Sequence, residues 1–586
     1  MSSFKNNIFH PPAQGLYSPQ NEHDACGVGF VADVHGTRSN RIIRKALGCV
    51  CNLQHRGAVD ADAKSGDGAG VLTQIPVELF KKELKKLGHE VYNDSDLGVG
   101  MFFLPREDAY RQAHIRKLTE SILSAAGLMP LAWRPVPINT KVLGDKAATT
   151  RPQIEQVFVI RPDKDQMDDE EYERTLYTCR RQIERQAKKE AISDFYVCSL
   201  SSKLIVYKGM FTAPQLERYF EDLHNPEYKT AIAVFHQRYS TNTFPTWGLA
   251  QPLRMLAHNG EINTVRGNRN WVRAREADFQ SDIWKDKIAS LKGVIQEGAS
   301  DSASLDNALE LLGLSGRSAL HALMMLVPAA YRSELNKTDP AVRGFYEFHE
   351  LMAEPWDGPA ALAITDGRFV AASLDRNGLR PARYKVTSDG MLLMSSEVGV
   401  AEIPEESVIE KGRLAPGEMI AVDTATGTLL RNAEIKKMIA SGKPYTEWVE
   451  KNRIDLSASK DEFCHLDARA TDEKEFQGEA GSFGYSDEEL KLILTPMFEN
   501  GQEALGSMGD DTPLAVLSER PRPLFHYFRQ LFAQVTNPAI DPIREKLVMD
   551  TQAYLGPKLN WLTESPEHAQ QLRLDTPVLT NRELTH

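Results

Sequence analysis

The stretch GPAALAITDGRFVAASLD, residues 358–375, limits the fold of this chain most sharply. Two apolar runs flank Asp366-Gly367, a dipeptide whose backbone suits the two-residue turn between antiparallel strands. EMIAVDTATGTLL, residues 418–430, has the same hairpin character. Further strand patterns lie in CGVGFVADV (26–34), AVFHQRYST (233–241) and MLAHNGEI (255–262). The first places Cys26, Val28, Phe30, Ala32 and Val34 on one face, the pattern of a half-buried strand. Helices stand between the strands. NRIIRKALGCVCNLQHRG (40–57) spaces Ile43, Ala46, Leu47, Val50 and Leu53 for one helical face, with Gly57 as its C-terminal cap. SDSASLDNALELLGL (300–314) reads as a capped helix. Antiparallel hairpins with separate helices predict α+β layers, not an alternating parallel sheet.

With 586 residues the chain exceeds one ordinary hydrophobic core, so two or more domains are expected. The strand-and-helix pattern runs from Cys26 to about Thr424. Residues 425–480 change character: a helical AEIKKMIASGKPYTEWVEKN leads into a polar stretch of mixed charge, which reads as a linker. A second globular region occupies 481–586. The net charge of −12, without a long basic block, argues against a nucleic-acid surface. No apolar run approaches the ~18 residues that cross a bilayer. The six cysteines are irregularly spaced, forming neither a disulfide framework nor an iron–sulfur pattern, so a reducing, cytoplasmic setting is expected.

The chemistry centres on Cys26. Residues 1–25 are polar, lack the apolar core of a secretion signal, and read as a tail or a segment to be removed. A free thiol, with pKa ~8.5, is mostly protonated near neutrality and needs a base. A cut before Cys26 supplies one, an α-amine of pKa roughly 7.7–8.0 on the nucleophile itself. Gly27 and Gly29 then leave room for a substrate beside the sulfur. The alternative is a buried, inert core cysteine. Arg238 suits a substrate α-carboxylate, or else a strand-end salt bridge. Asn259 and Gly260 suit an oxyanion, or else a simple turn. Asp301 suits a substrate ammonium, or else caps the helix together with Ser300.

Other signals carry less. GDGAG, Gly66 to Gly70, lacks the strand-before, helix-after context of a dinucleotide loop and reads as a local turn. Cys49 and Cys51 point to different sides of their helix, and Cys51 with His55 makes only two ligands, so no metal is assigned. Asp510 and Asp511 read as solvated surface.

CGVGF, LQHRGAVDADAKSGDGAGVLTQIP, HQRYSTNTFPTWGLAQPLRMLAHNGEINTVRGNRNW and EGASDSASLDNALELL resemble the class II glutamine amidotransferases that head glutamate synthase large subunits. SDEELKLILTPM and the GSMGDDTP…VMD segment resemble the start of the central domain of the same family. The resemblance implies a four-layer αββα N-terminal-nucleophile hydrolase fold over 26–424, followed by a partial α/β central domain, with a propeptide ending at Ala25. It further implies that Cys26 attacks the side-chain amide of L-glutamine, its α-amine serving as base and then as acid. Asn259 and Gly260 would form the oxyanion hole, Arg238 would grip the substrate carboxylate and Asp301 its ammonium. His236, Gln54, His55 and Arg56 would support them from behind. FMN and an iron–sulfur cluster are expected only in the further domains of that family, where ammonia meets 2-oxoglutarate. The expected partners are glutamine and those remaining domains or subunits, with no nucleic acid and no membrane. Two other readings remain: a non-catalytic docking relic, and a related hydrolase acting on a different amide. Arg238 and Asp301 oppose the latter, since together they match the two charged ends of a free amino acid.

Overall fold

The computed structural model describes residues 26–62, 64–238, 244–334, 338–456, 472–501, 504, 515–524, 527, 551–576, 579 and 584. The chain divides into two compact units. The larger extends through Asn452 and also takes in Pro557–Gln570. Its strands, in chain order, are β1 (Gly27–Asp33), β2 (Ala69–Gln74), β3 (Leu97–Leu104), β4 (Met129–Pro135), β5 (Gln153–Ile160), β6 (Tyr196–Ser201), β7 (Leu204–Gly209) and β8 (Ile232–Gln237). After these come β9 (Leu256–Gly260), β10 (Ala360–Thr365), β11 (Phe369–Leu374), β12 (Arg383–Thr387), β13 (Met391–Ser395), β14 (Val408–Arg413), β15 (Met419–Asp423) and β16 (Thr428–Arg431).

The hairpins expected at 358–375 and 418–430 are β10–β11 and β15–β16, both antiparallel. They belong to a five-stranded sheet of order β16-β15-β11-β10-β9. A seven-stranded sheet, β14-β12-β13-β1-β8-β2-β7, faces it, with β1 against β9 and β10 and β8 against β9. The helix Asn40–Asn52 covers the outer side of the seven-stranded sheet along β1 and β8. Helices Asp301–Leu314 and Ala319–Leu326 cover the five-stranded sheet at β9 and β11. The result is the αββα layering. A third, four-stranded sheet of order β4-β5-β3-β6 carries its own apolar cluster beneath helix Asp169–Lys189.

Because β1 is interior to its sheet and sandwiched between layers, it is buried on both faces, with Val31 as inaccessible as Phe30. The half-buried pattern expected for it is therefore not found. Gly27 and Gly29 also serve packing instead of leaving room for a substrate. A Cβ on Gly29 would lie 2.3 Å from the Met394 carbonyl, and one on Gly27 would lie 2.9 Å from Leu53. The helix after β1 ends at Asn52, and Gly57 closes a separate turn, Gln54–Arg56. GDGAG is the turn into β2.

Within the larger unit, Pro557–Gln570 packs on the helical layer. Trp561, Leu562 and Ala569 are buried, and Lys558 Nζ donates to the Leu351 carbonyl (2.9 Å) at the end of helix Pro340–Met352. Glu564, 2% exposed, receives Arg317 Nε (2.7 Å), Lys443 Nζ (3.0 Å) and the Tyr445 hydroxyl (2.8 Å). Burial works to raise this carboxyl, but hydrogen bonds to His321 and His349 and the charge of Arg317 hold it well below the usual carboxylate range. The smaller unit, Arg453–Gly556 with Gln571–His586, has a mixed three-stranded sheet and a helix Glu473–Ser482 capped by Asp472. No helix among the described residues is long and apolar enough to cross a membrane.

Candidate active site

Antiparallel pairing brings the first two site residues together. Gly27 of β1 stands opposite Gln237 of β8, so Cys26, just before the one, and Arg238, just after the other, emerge side by side. Cys26 is half-buried. Arg238 is 6% exposed and its main-chain N–H donates to the Gly68 carbonyl (2.8 Å). Burial lowers the pKa of its guanidinium, while Cys26, Asp67 and Asp301 hold it up, so all three lie within electrostatic range of the one cation.

The five-stranded sheet contributes the end of β9. The Asn259 side-chain amide donates to the Cys26 carbonyl oxygen at 2.8 Å. Gly260 has φ +139°, and a Cβ there would stand 1.8 Å from the Pro359 carbonyl, so no other residue fits. Asp301 opens the helix Asp301–Leu314 while Ser300 caps it, its hydroxyl accepting from Ala303 N–H (3.1 Å). Asp301 is therefore not the cap. Its carboxylate accepts from Ile262 N–H (2.9 Å) and Ser302 N–H (2.7 Å), which ties it to the chain just beyond Gly260.

Buried polar contacts fix these segments relative to one another. His236 Nε2 donates to the His258 carbonyl at 3.0 Å, linking β8 to β9 across the two sheets. Burial pushes His236 down to about 3, so the ring is neutral. Gln251, 7% exposed, accepts from His258 N–H (2.8 Å) and donates to Ser302 Oγ (3.4 Å), joining β9 to the helix of Asp301. No sequence pattern singled out Gln251. The turn Gln54–Arg56 lies against the same corner, since Leu53 packs on Gly27 and Gly57 abuts the Gln237 amide. His55 Nε2 is 2.8 Å from Glu397, and Arg56 Nε binds the other oxygen of that carboxylate. Glu397 had no sequence signal of its own either.

A cavity of about 1320 Å³ is lined by Trp247, Gly248, Tyr196, Arg181, Ala299 and Ala303, the last two flanking Asp301 by two residues on each side. Trp247 is held edge-on to Phe103 and Phe211. The leader 1–25, residues 239–243 after Arg238, and Asp510 with Asp511 lie outside the described residues.

Cys51 Sγ lies 4.0 Å from the Ala213 carbonyl, and His55 pairs with Glu397. His321, His349 and Glu564 bring ligand atoms within 4.8 Å of one another. Arg317 and Lys443 already pair with that carboxylate, so a third cation would meet two charges of its own sign. Among the described residues, Cys26, Cys49, Cys51, Cys179 and Cys198 sit on separate segments, except Cys49 and Cys51 on one helix.

The layered sheets, with a cysteine just before the central strand, have the arrangement of the N-terminal-nucleophile hydrolase fold. Residues 26–448 match the family model for class-II glutamine amidotransferases, and the chain belongs to that family. Residues 479–586 match the glutamate synthase central domain. The chain is 46% identical to the glutamate synthase (NADPH) large chain of Azospirillum brasilense over 583 residues, covering 100% of itself and 38% of that protein. It is 45% identical to the chloroplastic ferredoxin-dependent glutamate synthase of Oryza sativa subsp. japonica, covering 96% of itself and 35% of that protein. Against the glutamate synthase (NADPH) large chain of Bacillus subtilis (strain 168), identity is 42%, with 98% and 37% covered. The chain thus spans between 35% and 38% of the length of these relatives. Among solved structures, glutamine PRPP amidotransferase from B. subtilis, complexed with ADP and GMP, aligns with TM-score 0.23 and 14% identity, over 57% of this chain and 48% of that one.

Proposed function

We propose that the larger unit hydrolyses L-glutamine to L-glutamate and ammonia through Cys26, after residues 1–25 have been removed. The observation that carries this is the meeting of Cys26 with the Asn259 amide, 2.8 Å from its carbonyl, and with buried Arg238 on the neighbouring strand. The α-amine of Cys26 takes the thiol proton as Sγ attacks the side-chain amide carbon. The oxygen of that amide becomes an oxyanion, which the Asn259 side chain and the Gly260 N–H receive. The protonated amine passes its proton to the departing nitrogen, releasing ammonia and leaving a γ-glutamyl thioester. Water, deprotonated by the same amine, then cleaves the thioester to glutamate and restores the thiol.

Arg238 holds the substrate α-carboxylate and Asp301 its ammonium. In the whole enzyme the ammonia passes to 2-oxoglutarate in domains beyond this chain, and we place FMN and the iron–sulfur cluster there as well. A glutamine analogue with an electrophilic side chain tests the assignment. Label on Cys26, with Cys26→Ser inactive and unlabelled, supports it. Label elsewhere, or a Cys26→Ser variant that still deamidates glutamine, refutes it.

A further inference from the structure

We propose that Glu397 is a positioning residue for the nucleophile, acting through His55 and Arg56; this rests on the assignment of Cys26 above. Glu397 lies two residues beyond the end of β13, the strand that pairs with β1. Its root is fixed beside the start of β1, for Ser395 stands opposite Gly29 and Ser396 N–H donates to the Val28 carbonyl (2.8 Å). The Ser396 hydroxyl accepts in return from Val28 N–H (3.2 Å).

From that base the carboxylate reaches the turn Gln54–Arg56, one oxygen to His55 Nε2 (2.8 Å) and the other to Arg56 Nε. The three side chains are 21%, 17% and 30% exposed, so water screens the cluster only partly. Burial opposes the charge of Glu397, but hydrogen bonds from His55 and Arg56 win and keep its carboxyl below the ordinary range.

The pinned turn is confined at both ends by the active site. Leu53 before it fills the space that a Cβ on Gly27 would need, at 2.9 Å. Gly57 after it lies where a Cβ would be 1.9 Å from Gln237 Nε2. Gly27 follows Cys26, and Gln237 precedes Arg238. Glu397 thus sets the spacing between the nucleophile and the residue that grips the substrate, through His55 and Arg56. A displacement on the order of 1 Å of a reacting group lowers turnover roughly 100-fold.

The full chain carries the test, by two readouts. Glu397→Gln removes the charge and one acceptor while keeping the volume. Its expected effect is a fall of at least about tenfold in kcat with KM within about twofold, and a matching fall in the rate at which iodoacetamide alkylates Cys26. Glutamine analogue binding stays unchanged. In the double variant Glu397→Gln, His55→Gln, the loss is no larger than in the worse single variant, because both act through one cluster. Should Glu397→Gln not fold, His55→Gln alone decides, by the same kcat and alkylation criteria. Unchanged kcat and alkylation in a folded variant overturn the proposal. If the wild-type chain lacks glutaminase activity, the functional assignment fails, while alkylation still decides the role of Glu397.

Discussion

His236 Nε2 donates to the main-chain carbonyl of His258 across 3.0 Å, and this single bond spans the two stacked sheets directly behind the site. Arg238 lies two residues after His236, and Asn259 lies one after His258. The bond therefore fixes the distance between Arg238 and Asn259. His236→Ala leaves the His258 carbonyl unpaired in the core, at a cost of about 1–3 kcal/mol. The expected result is a lower denaturant midpoint with a fall in kcat. Unchanged kcat in the folded variant contradicts the bracing role.

Acid should weaken the larger unit. His236 and His349 are buried, and burial depresses them to about 3 and about 4. In the unfolded chain both titrate near 6.5, so below that pH the unfolded state binds more protons than the folded one. Stability from these two rings is complete above roughly pH 6.5 and is lost as pH falls toward their folded values. By pH 5 each removes about 2 kcal/mol, while buried Asp306, raised to about 6, returns roughly 1 kcal/mol over the same range, so the net change is a loss. Denaturant titration at pH 7 and pH 5 measures it, and equal midpoints contradict it.

Gly260→Ala places a methyl group 1.8 Å from the Pro359 carbonyl and imposes φ +139° on a residue with a side chain. The end of β9 must shift, carrying Asn259 with it. Loss of one oxyanion donor typically lowers kcat by ~10²–10³, and glutamine hydrolysis by the folded variant should fall by that range. Retained activity contradicts the assignment of this N–H.

The two ends of the substrate are separable. Arg238→Lys loses the bidentate fork, and Asp301→Asn loses the charge, each lowering kcat/KM for glutamine by roughly 10- to 100-fold. Asp301→Asn should lose discrimination against N-acetylglutamine, and Arg238→Lys against the α-amide of glutamine. Crossed or absent effects in that substrate panel overturn the two assignments.

Glu564→Gln leaves Arg317 buried without its counter-charge, beside Lys443 and two histidines. Removing one partner of a buried pair costs about 3–5 kcal/mol. Denaturant unfolding should show that loss, because Pro557–Gln570 is an integral part of the larger unit. A midpoint equal to that of the wild type contradicts it.

Elements with local signals were legible in the sequence. Asp366-Gly367 announced β10–β11, and Ser300 announced the helix that Asp301 opens. Signals that depend on distant neighbours were not. The glycines after Cys26 suggested space for a substrate, yet Leu53, Phe235 and the Met394 carbonyl fill it, because β1 is interior to two layers. Glu397 meets His55 from more than 340 residues away in the chain, and Glu564 meets Arg317 from 247. Neither pairing has a local pattern, since each partner alone reads as a surface charge.

The central claim is that thiol and base belong to the one residue, Cys26. Intact-mass measurement and N-terminal sequencing of catalytically active protein test it most directly. The account predicts a mature chain that begins at Cys26, with activity appearing only as the leader is lost. A fully active protein that still carries Met1 to Ala25 contradicts it.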